Sequence, residues 1–251
     1  MSSIAPARPA PHHEVGRTAY PAPPQPAYFQ VAVSSLPASG AELSGDFLDV
    51  FPTGNDRWIA VLGDVCGKGA AAAAVADDVR AVIRRAAALN DRPRQILSAL
   101  NHLLADDDVT VTTRFLTMVC LLLRPAESGV EVVLCSAGHP PVLLRGPDGQ
   151  VGPVGDGGGT MLGVVSEPRL VETRLLLGPD DTLLLYTDGV TEARCGNEEY
   201  AGRLSLLLAR MGGIEVALVP GHVQEAALAF GGGVNLDDVA VMALRAGRPA
   251  A

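Results

Sequence analysis

Four aspartates carry the strongest chemical signal in the sequence. Asp46 stands in Ser-Gly-Asp, Asp64 in Leu-Gly-Asp-Val, Asp188 in Tyr-Thr-Asp-Gly and Asp237 in Leu-Asp-Asp-Val, each at the start or end of an apolar run and beside a glycine, a small residue or a second acid. Carboxylates packed together repel one another unless something positive sits between them, and a hard cation with oxygen ligands, Mg²⁺ or Mn²⁺, is the usual solution. Taken one at a time, each motif reads equally well as an ordinary turn. The set of four is what points to metal chemistry.

Such a set needs elements that bring its members to one place. FLDVF (47–51) and RWIAVLGD (57–64) flank Pro-Thr-Gly-Asn-Asp, a turn composition, and predict a hairpin. Antiparallel pairing would set Asp46, at the start of one strand, near Asp64, at the end of the other. After Gly69 the Ala-rich run with Val75, Val79, Val82 and Ile83 at helical spacing predicts a long amphipathic helix. A second helix is expected over 92–104, with Ile96, Leu97, Leu100 and Leu103 on one face and the following ADDD a solvated loop. Strands then resume at 115–123, 130–135, 141–145, 171–177 and 181–186. Helices are expected at 197–211 and 221–229, with Pro220 near the start of the latter, before a closing strand at 239–245. Strands that come in runs favour a mostly antiparallel α+β protein over a parallel doubly wound sheet.

Bulk composition narrows the function classes. With 251 residues, 48% of them hydrophobic, the chain can bury the core of one large domain. A formal charge of −9 argues against DNA or RNA as the main partner. Cys66, Cys120, Cys135 and Cys195 form no C-x-x-C pair and read as reduced thiols. The first residues lack the apolar region of a secretory signal, and no stretch reaches the roughly 18 apolar residues of a membrane span, so the expected location is cytoplasmic, with no membrane partner. The Pro/Ala-rich residues 1–27 are expected to be a disordered tail, 28–246 the folded domain, and 247–251 a flexible C-terminal tail.

The motifs, taken in order, resemble the SpoIIE-type bacterial branch of the PPM metal-dependent protein serine/threonine phosphatases. The likeness runs through Ser-Gly-Asp-Phe-Leu-Asp (44–49), Gly-Asp-Val-Cys-Gly-Lys-Gly (63–69), Phe-Leu-Thr-Met (115–118), Ala-Gly-His-Pro-Pro (137–141), Leu-Gly (162–163), Tyr-Thr-Asp-Gly-Val-Thr-Glu (186–192) and Asp-Asp-Val-Ala (237–240). It implies a four-layer α/β/β/α sandwich of two mostly antiparallel sheets. It also implies two divalent cations, Mn²⁺ or Mg²⁺: Asp64 would bridge both, Asp188 and Asp237 would complete one site, and Asp46 with the Val65 carbonyl would serve the other. The implied reaction is attack of an activated water on phosphoserine or phosphothreonine, and the implied substrate a phosphorylated anti-sigma-factor antagonist in a partner-switching circuit. Control would come from a separate regulatory partner, a helix rearrangement or expression level.

The chain departs from the family pattern at Ser44, where Gly is usual, at Leu48, where an aromatic is usual, and at Cys66, where Ser is common; none supplies a metal-ligating side chain. Cys66 reads as a small buried residue. Gly63 to Lys68 superficially resembles a P-loop, but the spacing is one residue short and Gly69 replaces the Ser/Thr, which excludes an NTPase. Gly67-Lys68-Gly69 reads as a strand-to-helix turn, or as backbone open to an anion. His139 reads as a turn histidine held by packing, with proton donor to the leaving group as the other role. Asp49, Asp238 and Glu192 adjoin the four acids and are either their supports or surface charges, and Arg114 is the nearest basic candidate for phosphate contact. The alternatives to an active phosphatase are a pseudophosphatase that binds protein without chemistry and a hydrolase of small phosphoesters.

Overall fold

The computed structural model describes residues 26, 28–105, 115–155 and 158–247. The two expected tails, apart from residues 26 and 247, the acidic stretch after residue 105 and Arg114 lie outside the described residues.

Two five-stranded antiparallel sheets pack face to face. The first has the order β1 (Phe29–Leu36), β12 (Val239–Ala246), β9 (Thr182–Tyr186), β6 (Val142–Arg145), β7 (Val151–Val154). The second has the order β2 (Asp46–Gly54), β3 (Arg57–Val65), β4 (Leu116–Ala126), β5 (Gly129–Ala137), β8 (Val171–Leu177). Helices α1 (Gly69–Leu89) and α2 (Pro93–Leu104) cover the outer face of the second sheet. Helices α4 (Ala201–Ala209) and α5 (Val219–Phe230) cover that of the first. This is the four-layer α/β/β/α sandwich.

Three apolar layers hold it together, and the strands divide their side chains between them with a period of two. In β3, Ile59 and Val61 face α1 while Ala60 and Leu62 face the other sheet. In β12, Ala240, Met242 and Leu244 point between the sheets, and Val239, Val241 and Ala243 point at α5. Burial on both faces is why these strands read as nearly continuous apolar runs.

The β2–β3 hairpin turns on Asn55 and Asp56, with φ 52° and 54°, the left-handed pair that a two-residue turn matched to strand twist requires. Several expectations need correction. Residues 197–200 are not helical, because Arg194–Cys195 (β10) and Glu198–Glu199 (β11) form a small hairpin before α4. Leu103 does not share the buried face of α2 but is exposed; Asn101 is buried instead, donating through Nδ2 to the Val165 and Ser166 carbonyls at 3.0 and 3.1 Å. β1 and β7 have no counterpart among the expected strands. Among the described residues, no helix is long and apolar enough to cross a membrane.

Candidate metal centre

Each sheet delivers two of the four aspartates to the same end of the sandwich. In the second sheet Asp46 opens β2 and lies directly opposite Asp64 near the end of β3, which sets their Cα atoms roughly 5 Å apart. In the first sheet β9 and β12 are antiparallel neighbours, so the residues after Tyr186 lie beside those before Val239. Asp188 there begins the short helix α3 (Asp188–Thr191), and Asp237 stands two residues ahead of β12. Helix α1 starts just past β3, which puts the partial positive charge of its N-terminus at this end as well.

The acids raise one another's proton affinity. Asp64 is pushed up to about 7, first by burial and then by repulsion from Asp188, Asp237 and Asp238, with Lys68 opposing. Asp46, 3% exposed, is held well above the usual carboxylate range by burial and then by Asp64, against the hydrogen bond from Thr187. Burial and Asp237 raise Asp188, while the Gly189 N–H opposes.

Thr187, which sequence reasoning passed over, and Asp238 and Lys68, whose roles it left open, hold the acids in place. The Thr187 hydroxyl donates to Asp46 Oδ2 at 2.8 Å and accepts from Ala240 N at 2.9 Å, which ties the two sheets together at the cluster. Asp238 is a clamp: its Oδ1 accepts from Ala38 N and its Oδ2 from Gly45 N, both at 2.7 Å. Those two donors lie on the β1–β2 connection, so Asp238 fixes the segment leading into Asp46. Lys68 Nζ is 3.0 Å from Asp237 Oδ1 and donates to the Leu236 carbonyl at 3.0 Å.

The glycines beside three of the acids serve close packing. An ideal Cβ on Gly63 would stand 2.5 Å from the Phe47 ring and 2.7 Å from Met118 Cβ; on Gly45, 2.9 Å from the Val65 carbonyl oxygen; on Gly189, 2.0 Å from the Asp238 carbonyl oxygen. None of the three has positive φ, so the reading of these motifs as ordinary turns is the weaker one. Gly45 also keeps the Val65 carbonyl close to Asp46.

Other expected residues fall elsewhere. Asp49 makes a two-pronged bond to Arg84 of α1, 2.7 Å at each oxygen, away from the four acids. Cys66 is exposed, not buried, because it follows the last β3 residue where the chain leaves the sheet. His139 is 2% exposed, with Nδ1 3.0 Å from the Thr117 hydroxyl. Burial drives its imidazole down to about 3, so it is neutral at ordinary pH and not the imidazolium that a proton donor to the leaving group would need.

Among the described residues, no three His, Cys, Asp or Glu side chains form a group that could hold a metal ion as they stand. The reason is visible in the bonds above: Asp46 is turned to Thr187, Asp237 to Lys68 and Asp238 to backbone amides. The donor chemistry nonetheless fits a hard dication, since carboxylates from two sheets and a backbone carbonyl share one end and their mutual repulsion is only partly offset by Lys68.

Comparison with known proteins gives the family and the fold. The sequence model of the family described as Stage II sporulation protein E (SpoIIE) matches residues 54–247; the match thus begins after Asp46. Protein IcfG of Synechocystis sp. is 26% identical over 196 residues, covering 66% of this chain and 30% of IcfG. Phosphoserine phosphatase RsbP of Bacillus subtilis is 25% identical over 175 residues, covering 65% of this chain and 40% of RsbP. The chain therefore spans about a third of the length of these curated relatives. Among solved structures, the RsbU and RsbW domains of Rv1364c from Mycobacterium tuberculosis superpose with a TM-score of 0.74 at 27% identity, covering 89% of this chain and 61% of that one.

Proposed function

From the premise that the chain belongs to the Stage II sporulation protein E (SpoIIE) family, we propose that it is a metal-dependent protein serine/threonine phosphatase. The observation that carries this reading is the convergence of Asp46 and Asp64 from one sheet with Asp188 and Asp237 from the other, tight enough to push Asp64 up to about 7.

In this reading Asp64 would serve both of two Mn²⁺ or Mg²⁺ ions, Asp188 and Asp237 would hold one of them with it, and Asp46 with the Val65 carbonyl would hold the other. Cations so held supply Lewis-acid activation of a water and neutralise charge on the phosphoryl oxygens. The chain's own residues prepare that chemistry. Thr187 orients the Asp46 carboxylate, and Asp238 anchors the segment that carries it. Lys68 holds Asp237 by an exposed ion pair, a contact worth about 1 kcal/mol or less, so Asp237 is released at little cost when a stronger cation competes. No side chain of the cluster is required to form a bond to phosphorus.

The name of RsbP supports phosphoserine as the substrate group, and the family resemblance extends this to a phosphorylated anti-sigma-factor antagonist. The four free cysteines suit the reducing cytoplasm. Nothing favours the protein-binding alternative, because all four acids are present. The test is phosphate release from a phosphoserine protein by the purified chain with Mn²⁺ and then with chelator. Release that needs the cation and vanishes in Asp64→Asn is expected; no release by folded protein with either Mn²⁺ or Mg²⁺ would overturn the proposal.

A further inference from the structure

Beside the acid cluster lies a cavity of about 310 Å³ that the reaction above leaves unused. Its buried lining is Leu36 of β1, Ala227 and the half-buried Leu228 of α5, Val239 of β12, and Gln224, whose amide is taken up by the Ser34 hydroxyl and the Val239 carbonyl. Lys68 and Asp237, the ion pair of the cluster, form one part of its rim. The loop from α5 to β12 carries the apolar character outward, with Val234 51% and Leu236 74% exposed. Single exposed apolar side chains are ordinary on a protein surface. Val234 and Leu236 both stand within three residues of Asp237 and on the lining of the cavity.

We propose that this cavity is the subsite for an apolar side chain adjoining the phosphoserine of the substrate protein, and that it selects among phosphoproteins while the acid cluster performs the hydrolysis. The inference rests on the phosphatase reading. Continuity carries it: Asp237 and Lys68 belong to both the cluster and the cavity wall, so a chain whose phosphoryl group lies against the cluster brings a neighbouring residue, about 3.8 Å away per Cα step, over the cavity. The volume of about 310 Å³, at the low end of the range for ligand pockets, has room for an apolar side chain. Glu192 and Arg194, also on the lining, are of opposite sign, and Arg194 is paired with Glu199 at 2.5 Å. With Lys68 and Asp237 also on the wall, the charges balance, and Leu36, Ala227, Leu228 and Val239 are what distinguish one substrate segment from another.

The experiment compares three substrates with the full chain and Mn²⁺: p-nitrophenyl phosphate, a phosphoserine peptide with leucine on both sides of the phosphoserine, and its glycine-flanked twin. The leucine peptide should be preferred by roughly tenfold in kcat/KM, the scale of burying one apolar side chain. The preference should disappear in Val234→Asp and in Leu228→Glu, with each variant's own p-nitrophenyl phosphate turnover as its reference. Val234 lies on an exposed loop, so that variant reports even if the helical one folds poorly. Equal use of the two peptides by the parent, or a preference that survives both substitutions, overturns the subsite while leaving the phosphatase reading intact. No turnover of any of the three substrates overturns both.

Discussion

At the Gly69 end of α1 five carboxylates, those of Asp46, Asp64, Asp188, Asp237 and Asp238, interact around the ammonium of Lys68, whereas beyond its Leu89 end charges meet in pairs. There Arg57 contacts Asp91 at 2.9 Å, and Arg124 contacts Glu131 at 2.5 Å. The two places are separated by a 21-residue helix, about 30 Å at the usual rise. Paired charges cancel locally, and the more exposed Arg124–Glu131 pair contributes little to stability. The unbalanced end instead costs stability at neutral pH, since like charges are held close by strands whose pairing is fixed by the cores on either side. A site that binds a dication has to be built against its own repulsion, and the sandwich supplies the rigidity to do so.

The sharpest way to break this contrast is Asp64→Asn, which keeps size and removes the central charge. Phosphate release should fall by about three orders of magnitude, while in chelator at pH 8 the variant should melt no lower than the parent. Retained turnover would show that the cluster is not the reacting centre.

The next effect is on pH. Because Asp64 lies at about 7 in the folded chain against 3.8 as its ordinary value, the folded state holds a proton that the unfolded state releases between those values. Its contribution to stability is full below about 3.8 and is lost as pH rises through 7. At about 1.4 kcal/mol per unit, the cation-free protein should lose up to about 4 kcal/mol, and less where water screens the group. Denaturant midpoints at pH 5 and pH 8 capture the part lost between pH 5 and 7, up to about 3 kcal/mol; the drop should shrink in Asp64→Asn and close when Mn²⁺ is added.

A smaller loss follows from Asp238→Ala, which strips acceptors from Ala38 N and Gly45 N and should cost about 2 to 3 kcal/mol by urea unfolding. Thr187→Val and Asp46→Asn bear on the same corner. Smallest of all, Arg124→Ala at the paired end should cost under about 1 kcal/mol, with turnover unchanged. A larger loss there would erase the distinction between the two ends.

The sequence makes the chemistry more legible than the framework around it. Asp46 and Asp64 can be placed together because their hairpin is local, with a turn signal between two apolar runs. β7 is invisible because Val151–Val154 contains Gly152 and Pro153; a strand with a proline is tolerated here because it lies at the sheet edge. β1 follows a proline-rich stretch and carries Ser34 and Ser35, whose place in a sheet depends on a strand some 200 residues away. The clamp of Asp238 spans 193 and 200 residues, and the bond from Thr187 to Asp46 spans 141. No local pattern can announce a partner at that range. Leu103 is exposed for a related reason: helical spacing defines a stripe, but the width that is covered depends on what packs there.

The tight packing at Gly45, Gly63 and Gly189 has a genetic consequence. In a saturation-mutagenesis map scored for growth dependent on this protein, these three positions should be as blank as the aspartates, alanine included, although none carries a functional group. Inheritance at this site would then protect empty space as strictly as charge, and a variant screen that sought only reactive side chains would overlook three of its most fragile positions.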